Sequence, residues 1–217
     1  MNYKKIVTKD GSETIYNSNF DETYHSISGA FEEALEKYVK PLQIVPHSKI
    51  LDFCFGLGYN SIATLINHNF IEITALEIDP EIVNKMGEIE VPQDDASLFK
   101  LFSHLPEKQS ISYRESKIEL IVGDARKTIK SLQTNYFDNI FFDPFSPKKQ
   151  PEMWETKVFI DIYKILKNGG RLATYSCAKQ IRRNMQEAGF DIKDGPAIGR
   201  KSPSTIATKS INNYSSL

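Results

Sequence analysis

Three carboxylates close apolar, strand-like runs in this chain: Glu77 in Leu76-Glu77-Ile78-Asp79-Pro80, Asp124 in Val122-Gly123-Asp124-Ala125, and Asp143 in Phe141-Phe142-Asp143-Pro144-Phe145-Ser146-Pro147. In a doubly wound α/β sheet such strand ends converge on one crevice, where ligands bind. A fourth apolar run leads into Asp52-Phe53-Cys54-Phe55-Gly56-Leu57-Gly58-Tyr59-Asn60. Gly56 and Gly58 allow a tight strand-to-helix turn and a close backbone approach to a ligand. A G-x-G pair alone is weak evidence, because glycine pairs also occur in ordinary turns. Its context strengthens it: Glu77 stands nineteen residues after Gly58. A carboxylate there can accept hydrogen bonds from both ribose hydroxyls of an adenosine cofactor. Asp124 has a plainer alternative as a helix N-cap, and the two roles are compatible.

The phosphate-binding motifs separate the cofactor classes. A dinucleotide fingerprint requires a third glycine near Ile62, and Ser61-Ile62-Ala63 supplies none. No G-x-x-x-x-G-K-[ST] loop is present either. An adenosine ligand without pyrophosphate fits better, which points to S-adenosyl-L-methionine.

Asp143 and Phe145 suggest what the cofactor is used for. Methyl transfer to an amine needs a neutral nitrogen lone pair aligned with the sulfonium methyl, and a carboxylate to orient the N–H groups and stabilise the developing cation. Asp143 can do both and can accept a proton, while Phe145 can hold a planar base by stacking. The plain alternative is a capping aspartate and a core phenylalanine in an ordinary turn. Asp138 reads as a turn residue, and Met153 with Trp154 as packing for the helix that follows. Lys148 can meet phosphate, although paired lysines (here Lys148 and Lys149) are by default a solvated loop. Lys179, Arg182, Arg183, Lys193, Arg200, Lys201 and Lys209 crowd the last third of the chain. They offer either an RNA-backbone contact or an ordinary charged surface.

The elements that must position these groups follow from periodicity. Apolar strands at 50–53, 71–77, 118–122, 139–143 and 171–176 alternate with helices beginning near Tyr59, Pro80, Asp124, Pro151 and Ala178. This implies βαβ units and a mostly parallel Rossmann-like sheet. A strand pair at 190–193 and 205–208 completes an edge. Ahead of the sheet, Asp10-Gly11 predicts a hairpin within 7–16. A helix over 27–39 is ended by Pro41. Residues 1–48 thus read as an extension packed on a catalytic core of 49–217, one structural domain overall. Residues 87–116 fit the pattern least; 94–104 is expected to be helical, the remainder an insertion near the site.

Bulk composition adds exclusions. The 217 residues suit one α/β domain, and 40% hydrophobic with 25% charged residues is an ordinary globular balance. The net charge of −1 carries no global positive field, so any RNA contact must use a local patch. Cys54 and Cys177 fall in apolar strand-like runs, as small buried hydrophobes. With four scattered histidines they predict no metal site. No apolar run approaches a membrane span and the first fourteen residues lack a secretory core, so a cytoplasmic protein is expected.

Over 10–208 the chain resembles the methyltransferase domain of the MnmC family, which modifies the wobble uridine of certain tRNAs. The resemblance is carried by Asp10-Gly11-Ser12, Glu22-Thr23-Tyr24-His25-Ser26, Phe55-Gly56-Leu57-Gly58-Tyr59-Asn60 and Asp143-Pro144-Phe145-Ser146-Pro147-Lys148. Further on it includes Asn168-Gly169-Gly170-Arg171-Leu172-Ala173-Thr174-Tyr175-Ser176, Ala188-Gly189-Phe190 and Gly199-Arg200-Lys201. It implies methylation of 5-aminomethyl(-2-thio)uridine in tRNA to the methylaminomethyl form. It places the cofactor against Tyr24, Gly56, Gly58, Asn60, Glu77 and Asp143, with Asp124 near the adenine. Asp143 and Phe145 face the target amine and base, with Lys148, Arg182, Arg183, Arg200 and Lys201 toward RNA. Two departures stand out. No second dinucleotide motif for an FAD-dependent oxidase is present, so a stand-alone form without FAD is expected. Cys54 also occupies a position often held by glycine.

Two rivals remain open. One is an aminopropyltransferase of the spermidine-synthase kind or another small-amine enzyme, which would want an acidic amine pocket. The other is a non-catalytic module that binds S-adenosyl-L-methionine or RNA and has no need of Asp143.

Overall fold

In a computed structural model of the chain, which describes residues 3–91, 96–199 and 201–211, the apolar runs form one eight-stranded sheet. Three antiparallel strands come first, β1 (Tyr3–Val7), β2 (Glu13–Asn17) and β3 (Glu22–Thr23), as a separate small sheet. The main sheet holds β4 (Lys49–Phe53), β5 (Glu72–Glu77), β6 (Ser110–Tyr113), β7 (Ser116–Val122), β8 (Phe137–Phe142), β9 (Leu166–Thr174), β10 (Phe190–Asp194) and β11 (Thr205–Lys209). Their spatial order is β10-β11-β9-β8-β4-β5-β7-β6. The five central strands are parallel, while β6 at one edge and the β10–β11 pair at the other join by antiparallel pairing.

The chain steps outward from β4 through β5 to β7, then returns to place β8 on the other side of β4. The topological switch therefore lies between β4 and β8, where a crevice opens at the strands' carboxyl ends. These strands are apolar on both faces because both are covered. One face packs against α1 (Ala30–Glu33), its continuation, α2 (Tyr59–Asn67), α3 (Pro80–Asn84), α4 (Ala96–Phe102) and α5 (Leu105–Lys108). The other packs against α6 (Ala125–Thr128), α7 (Thr156–Ile165) and α8 (Lys179–Glu187). Ile15, Tyr38 and Leu42 from the amino-terminal extension share the first core with Ile50. Met153 and Trp154 are buried beneath α7, with the Trp154 ring edge-on to Phe142.

Several expectations need correction. The amino-terminal helix begins only at Ala30 and widens into a π-helical stretch, Ala34–Val39. It ends at Val39 as expected, and Pro41 is the second residue of the 3₁₀ turn Lys40–Leu42 that follows. The wider turn keeps Lys37 and Tyr38 both inward, Lys37 paired with Glu33 at 2.5 Å. The strand expected at 171–176 runs from Leu166 to Thr174, with Gly169 and Gly170 inside it. It stops there because the Tyr175 N–H donates to the Tyr38 hydroxyl (3.3 Å) and the Ser176 carbonyl accepts from Thr205. Asp138 is not a turn residue: it lies in β8, accepting the Lys49 N–H (2.8 Å) and pairing with Lys167 (2.7 Å). Cys54 and Cys177 lie just past strands and are only half-buried, Cys54 in the left-handed region at φ 67°. That geometry explains why glycine suits its position. Finally, 87–116 contains an unexpected edge strand, β6, beside α4 and α5; α4 begins at Ala96, and 94–95 lie outside the described residues.

Candidate active site

The carboxyl ends of β4, β5, β7 and β8 open on a cavity of about 810 Å³ roofed by the β2–β3 turn. Its wall includes Tyr24, Cys54, Gly56, Glu77, Asp124, Asp143 and Phe145, so most of the chemically interesting residues of the sequence meet in one place. Gly58 and Asn60 are not on that wall. Gly58, at φ 69°, is packed so closely that an added Cβ would lie 2.5 Å from the Phe55 ring. Its role is to turn the chain into α2. Gly56, at φ 55°, lies under Tyr24, with 3.0 Å between an added Cβ and that ring.

Glu77 is 7% exposed and already tied to the backbone. One oxygen accepts the Gly56 N–H at 2.8 Å; the other accepts Ile78 and Asp79 N–H groups at 2.8 and 2.9 Å. A carboxylate offers about four acceptor sites, so one is left for a ligand hydroxyl rather than two. Burial raises its pKa against the opposing pull of those amides. Asp124 is the N-cap of α6, accepting the Arg126 N–H at 3.0 Å. The Arg126 guanidinium grips both its oxygens, at 2.9 and 2.7 Å, and holds its pKa down. The capping alternative is thus what the geometry displays, with the side chain still on the cavity wall.

Asp143 differs from both. Its partners are the Tyr38 hydroxyl (2.5 Å) and the Asn60 amide (3.2 Å). Burial, reinforced by Glu33, pushes its pKa up to about 7, against the hydrogen bonds from Tyr38 and Asn60 and the charge of Lys37. Asn60 therefore touches the cavity only through Asp143, and its own Oδ1 is buried without a partner. Two residues on, Phe145 is stacked on Phe20 with centroids 4.3 Å apart, and Tyr24 tilts against it at 5.0 Å.

Residue patterns missed several members of this site. Tyr38 sat unremarked in a helical repeat. Ile78, 63% exposed beside Glu77, gives the wall an apolar patch suited to a purine. Phe20 comes from a turn with no signal of its own, while Glu22, at the start of β3, stands only within a segment of family resemblance with no role attached. Seven carboxylates line the cavity (Glu22, Glu33, Glu77, Asp79, Asp124, Asp143 and Glu152) against Lys37 and Arg126, each paired with one of them. That set, together with the remaining acceptor site on Glu77 and the apolar Ile78, fits a cationic adenosine-bearing ligand.

The basic residues are scattered. Lys148 is exposed on the loop beside the cavity, and Lys201 is exposed just past Gly199 on its rim. Arg183 is exposed on α8. Arg182 needs correction as an RNA contact: its guanidinium donates to Thr205 and to the Ser204 carbonyl (both 2.9 Å) and pairs with Asp194 at 2.7 Å. It clamps α8 to the carboxy-terminal strands. Arg200 lies outside the described residues. Among the described residues no cluster of three or more His, Cys, Asp or Glu could hold a metal, and no helix is long and apolar enough to cross a membrane.

The family described as S-adenosyl-L-methionine-dependent methyltransferase matches residues 94–210, more than half the chain. The chain belongs to that family, and S-adenosyl-L-methionine is its cofactor. More narrowly, this is an MnmC-like methyltransferase domain. The chain is 27% identical over 225 residues to the tRNA 5-methylaminomethyl-2-thiouridine biosynthesis bifunctional protein MnmC of Ralstonia nicotianae, covering 89% of this chain and 33% of that one. It is 34% identical over 213 residues to the uncharacterized protein MJ0670 of Methanocaldococcus jannaschii, covering 95% and 60%. It therefore spans from a third to three fifths of these relatives' length. MnmC2 from Aquifex aeolicus superposes with a TM-score of 0.82 at 27% identity, over 95% of this chain and 70% of that one. Spermidine synthase from Thermotoga maritima shares the fold alone, with a TM-score of 0.63 at 14% identity over 98% and 73%.

Proposed function

We propose that the chain methylates the side-chain amine of 5-aminomethyl(-2-thio)uridine at the wobble position of tRNA, giving the methylaminomethyl form. The observation that carries this reading is Asp143: a carboxylate on the cavity wall at the switch point, oriented by Tyr38 and Asn60, with Phe145 two residues away. The bifunctional relative named for 5-methylaminomethyl-2-thiouridine biosynthesis supports it.

When bound, S-adenosyl-L-methionine supplies a methyl group on a positively charged sulfur. Glu77 and Ile78 would hold its adenosine, Asp124 would stand near the adenine, and Tyr24 and Gly56 would bound it. The chain's own task is then to prepare the amine. An alkylamine arrives as an ammonium ion, and Asp143, with a pKa near 7, accepts a proton and frees the lone pair. Once that proton has passed on to solvent, the restored carboxylate orients the remaining N–H bonds and stabilises the cation that forms as the nitrogen takes the methyl. Phe145 stacks on the pyrimidine. Lys148, Arg183 and Lys201, exposed around the mouth or on α8, would meet tRNA phosphates.

The cavity's excess of carboxylates favours a second reading, a free small amine as substrate. Arg182 is engaged internally and Lys209 is bonded to Asn135, Tyr163 and Leu166, which leaves fewer of the carboxy-terminal cations for an RNA backbone. One experiment separates the two: transfer of labelled methyl to bulk tRNA carrying aminomethyluridine, with putrescine and spermidine tested in parallel. Label at the wobble uridine supports the proposal. Label only on a polyamine moves the substrate to the second reading, and no transfer to either overturns both.

A further inference from the structure

We infer that Phe20 is a specificity-determining residue: with Phe145 it forms an aromatic clamp that opens by one ring thickness and takes the substrate base between the two faces. The inference rests on the methyl-transfer reading above and specifies how its substrate is recognised. The two rings are stacked within 18° of parallel, while the other aromatic pairs among the described residues are tilted or edge-on. Parallel faces are what a planar ring needs on its two sides. Neither ring belongs to either hydrophobic core, so this stack is not part of what holds the domain together. Both rings line the cavity.

The mounting of Phe20 allows the movement. It sits in the turn between β2 and the two-residue strand β3, where Asp21 takes a left-handed backbone at φ 50°. Three interactions fix this turn to the loop after β8, all within a few residues of the clamp. The rings stack; the Glu22 carboxylate accepts the Ser146 N–H (2.9 Å) and hydroxyl; and Asp21 pairs with Lys149 at 3.0 Å. The Asp21 side chain is 71% exposed, and an exposed pair of this kind is a weak restraint. At 4.3 Å the rings leave no gap, so a base enters only as Phe20 lifts, and its insertion replaces one stacked interface with two. A base flipped out of a single-stranded loop presents both faces for this. An aliphatic amine has no face to offer and gains nothing from Phe20.

The test compares wild type with Phe20→Ala and Phe20→Trp, first on aminomethyluridine-bearing tRNA. Base–aromatic stacking predicts that Phe20→Ala raises KM by about tenfold while kcat and cofactor affinity hold, and that Phe20→Trp restores KM. The second measurement needs no turnover: binding of 5-aminomethyluridine nucleoside, and separately of spermidine, to protein saturated with S-adenosylhomocysteine. Phe20→Ala is expected to weaken the nucleoside by about the same factor and leave spermidine unchanged. An unchanged or lower KM with Phe20→Ala overturns the clamp, as does equal weakening of nucleoside and spermidine. If the wild type leaves tRNA unmethylated yet the nucleoside shows the Phe20 dependence, the reaction falls and the clamp stands. If tRNA is methylated without that dependence, the clamp falls and the reaction stands.

Discussion

The two halves of the cavity are built differently. On the side of β5 and β7, the acids are occupied by their own neighbourhood: Glu77 by the amides of Gly56, Ile78 and Asp79, Asp124 by Arg126. On the side of β8, Asp143 is held by Tyr38 and Asn60, 105 and 83 residues away, and Phe145 meets Phe20 from the first fifty residues. The first half is a fixed cradle whose hydrogen bonds exist before any ligand arrives. The second keeps a carboxylate close to its titration point, next to a ring that can be uncovered. Binding suits the first arrangement and proton handling the second.

The sharpest way to break this division is Asp143→Ala. It is expected to lower kcat by about 10²-fold or more and leave the cofactor dissociation constant nearly unchanged. Single-turnover methyl transfer with a parallel binding titration measures both. Equal losses in the two would place Asp143 in the cradle and erase the contrast.

Glu77→Ala probes the other side. The cofactor dissociation constant should rise by about 10- to 100-fold. Because three backbone amides lose their acceptor, the folded state should also weaken by about 1–3 kcal/mol, read from denaturant unfolding. A change in turnover alone, with binding intact, would show that the β5 end serves chemistry after all.

These two halves were not equally readable. Glu77 and Asp124 could be found from spacing, because each stands at a strand end and bonds mainly to residues one or two positions away, with Gly56 of the glycine turn as the one distant partner of Glu77. Asp143 was visible for the same reason: an acid leaving an apolar strand before a proline. What tuned it was not visible. Tyr38 looks like any apolar position in a helix, and only the π-helical widening and the return of β8 beside β4 bring its hydroxyl to the carboxylate. Phe20 is legible only once the small sheet is folded over the cavity. Arg182 failed in the opposite direction, since sequence gives its charge but not the carbonyl, hydroxyl and carboxylate that use it.

Tyr38→Phe turns that long-range hydrogen bond into a pH measurement. The Tyr38 hydroxyl donates to the carboxylate and so lowers the Asp143 pKa; Glu33 and burial raise it, while Asn60 and Lys37 pull it down. Protonated Asp143 cannot accept the substrate's proton, so kcat/KM is expected to rise with pH through about 7 in the wild type. Removing the donor moves that limb to higher pH. Activity at pH 7 should fall by roughly 3- to 10-fold and recover above the displaced limb, a shift of one unit being a factor of ten. A uniform loss at every pH would make Tyr38 a packing residue only.

The smallest effect separates surface charge from structural charge. Lys148→Ala with Arg183→Ala removes two exposed cations and should weaken tRNA binding a few-fold. The slope of log affinity against log salt should become shallower by about 1 for each phosphate left without its cation. Arg182→Ala should do the reverse: its three partners are within the fold, so stability drops by about 1–2 kcal/mol while the salt slope stays put. If the Arg182 variant flattens the slope and the Lys148–Arg183 pair does not, tRNA approaches along β10 and β11 rather than over the loop after β8. The tRNA contacts would then have to be reassigned from the loop after β8 to the carboxy-terminal strands, whose connecting loop reaches the same cavity at Gly199.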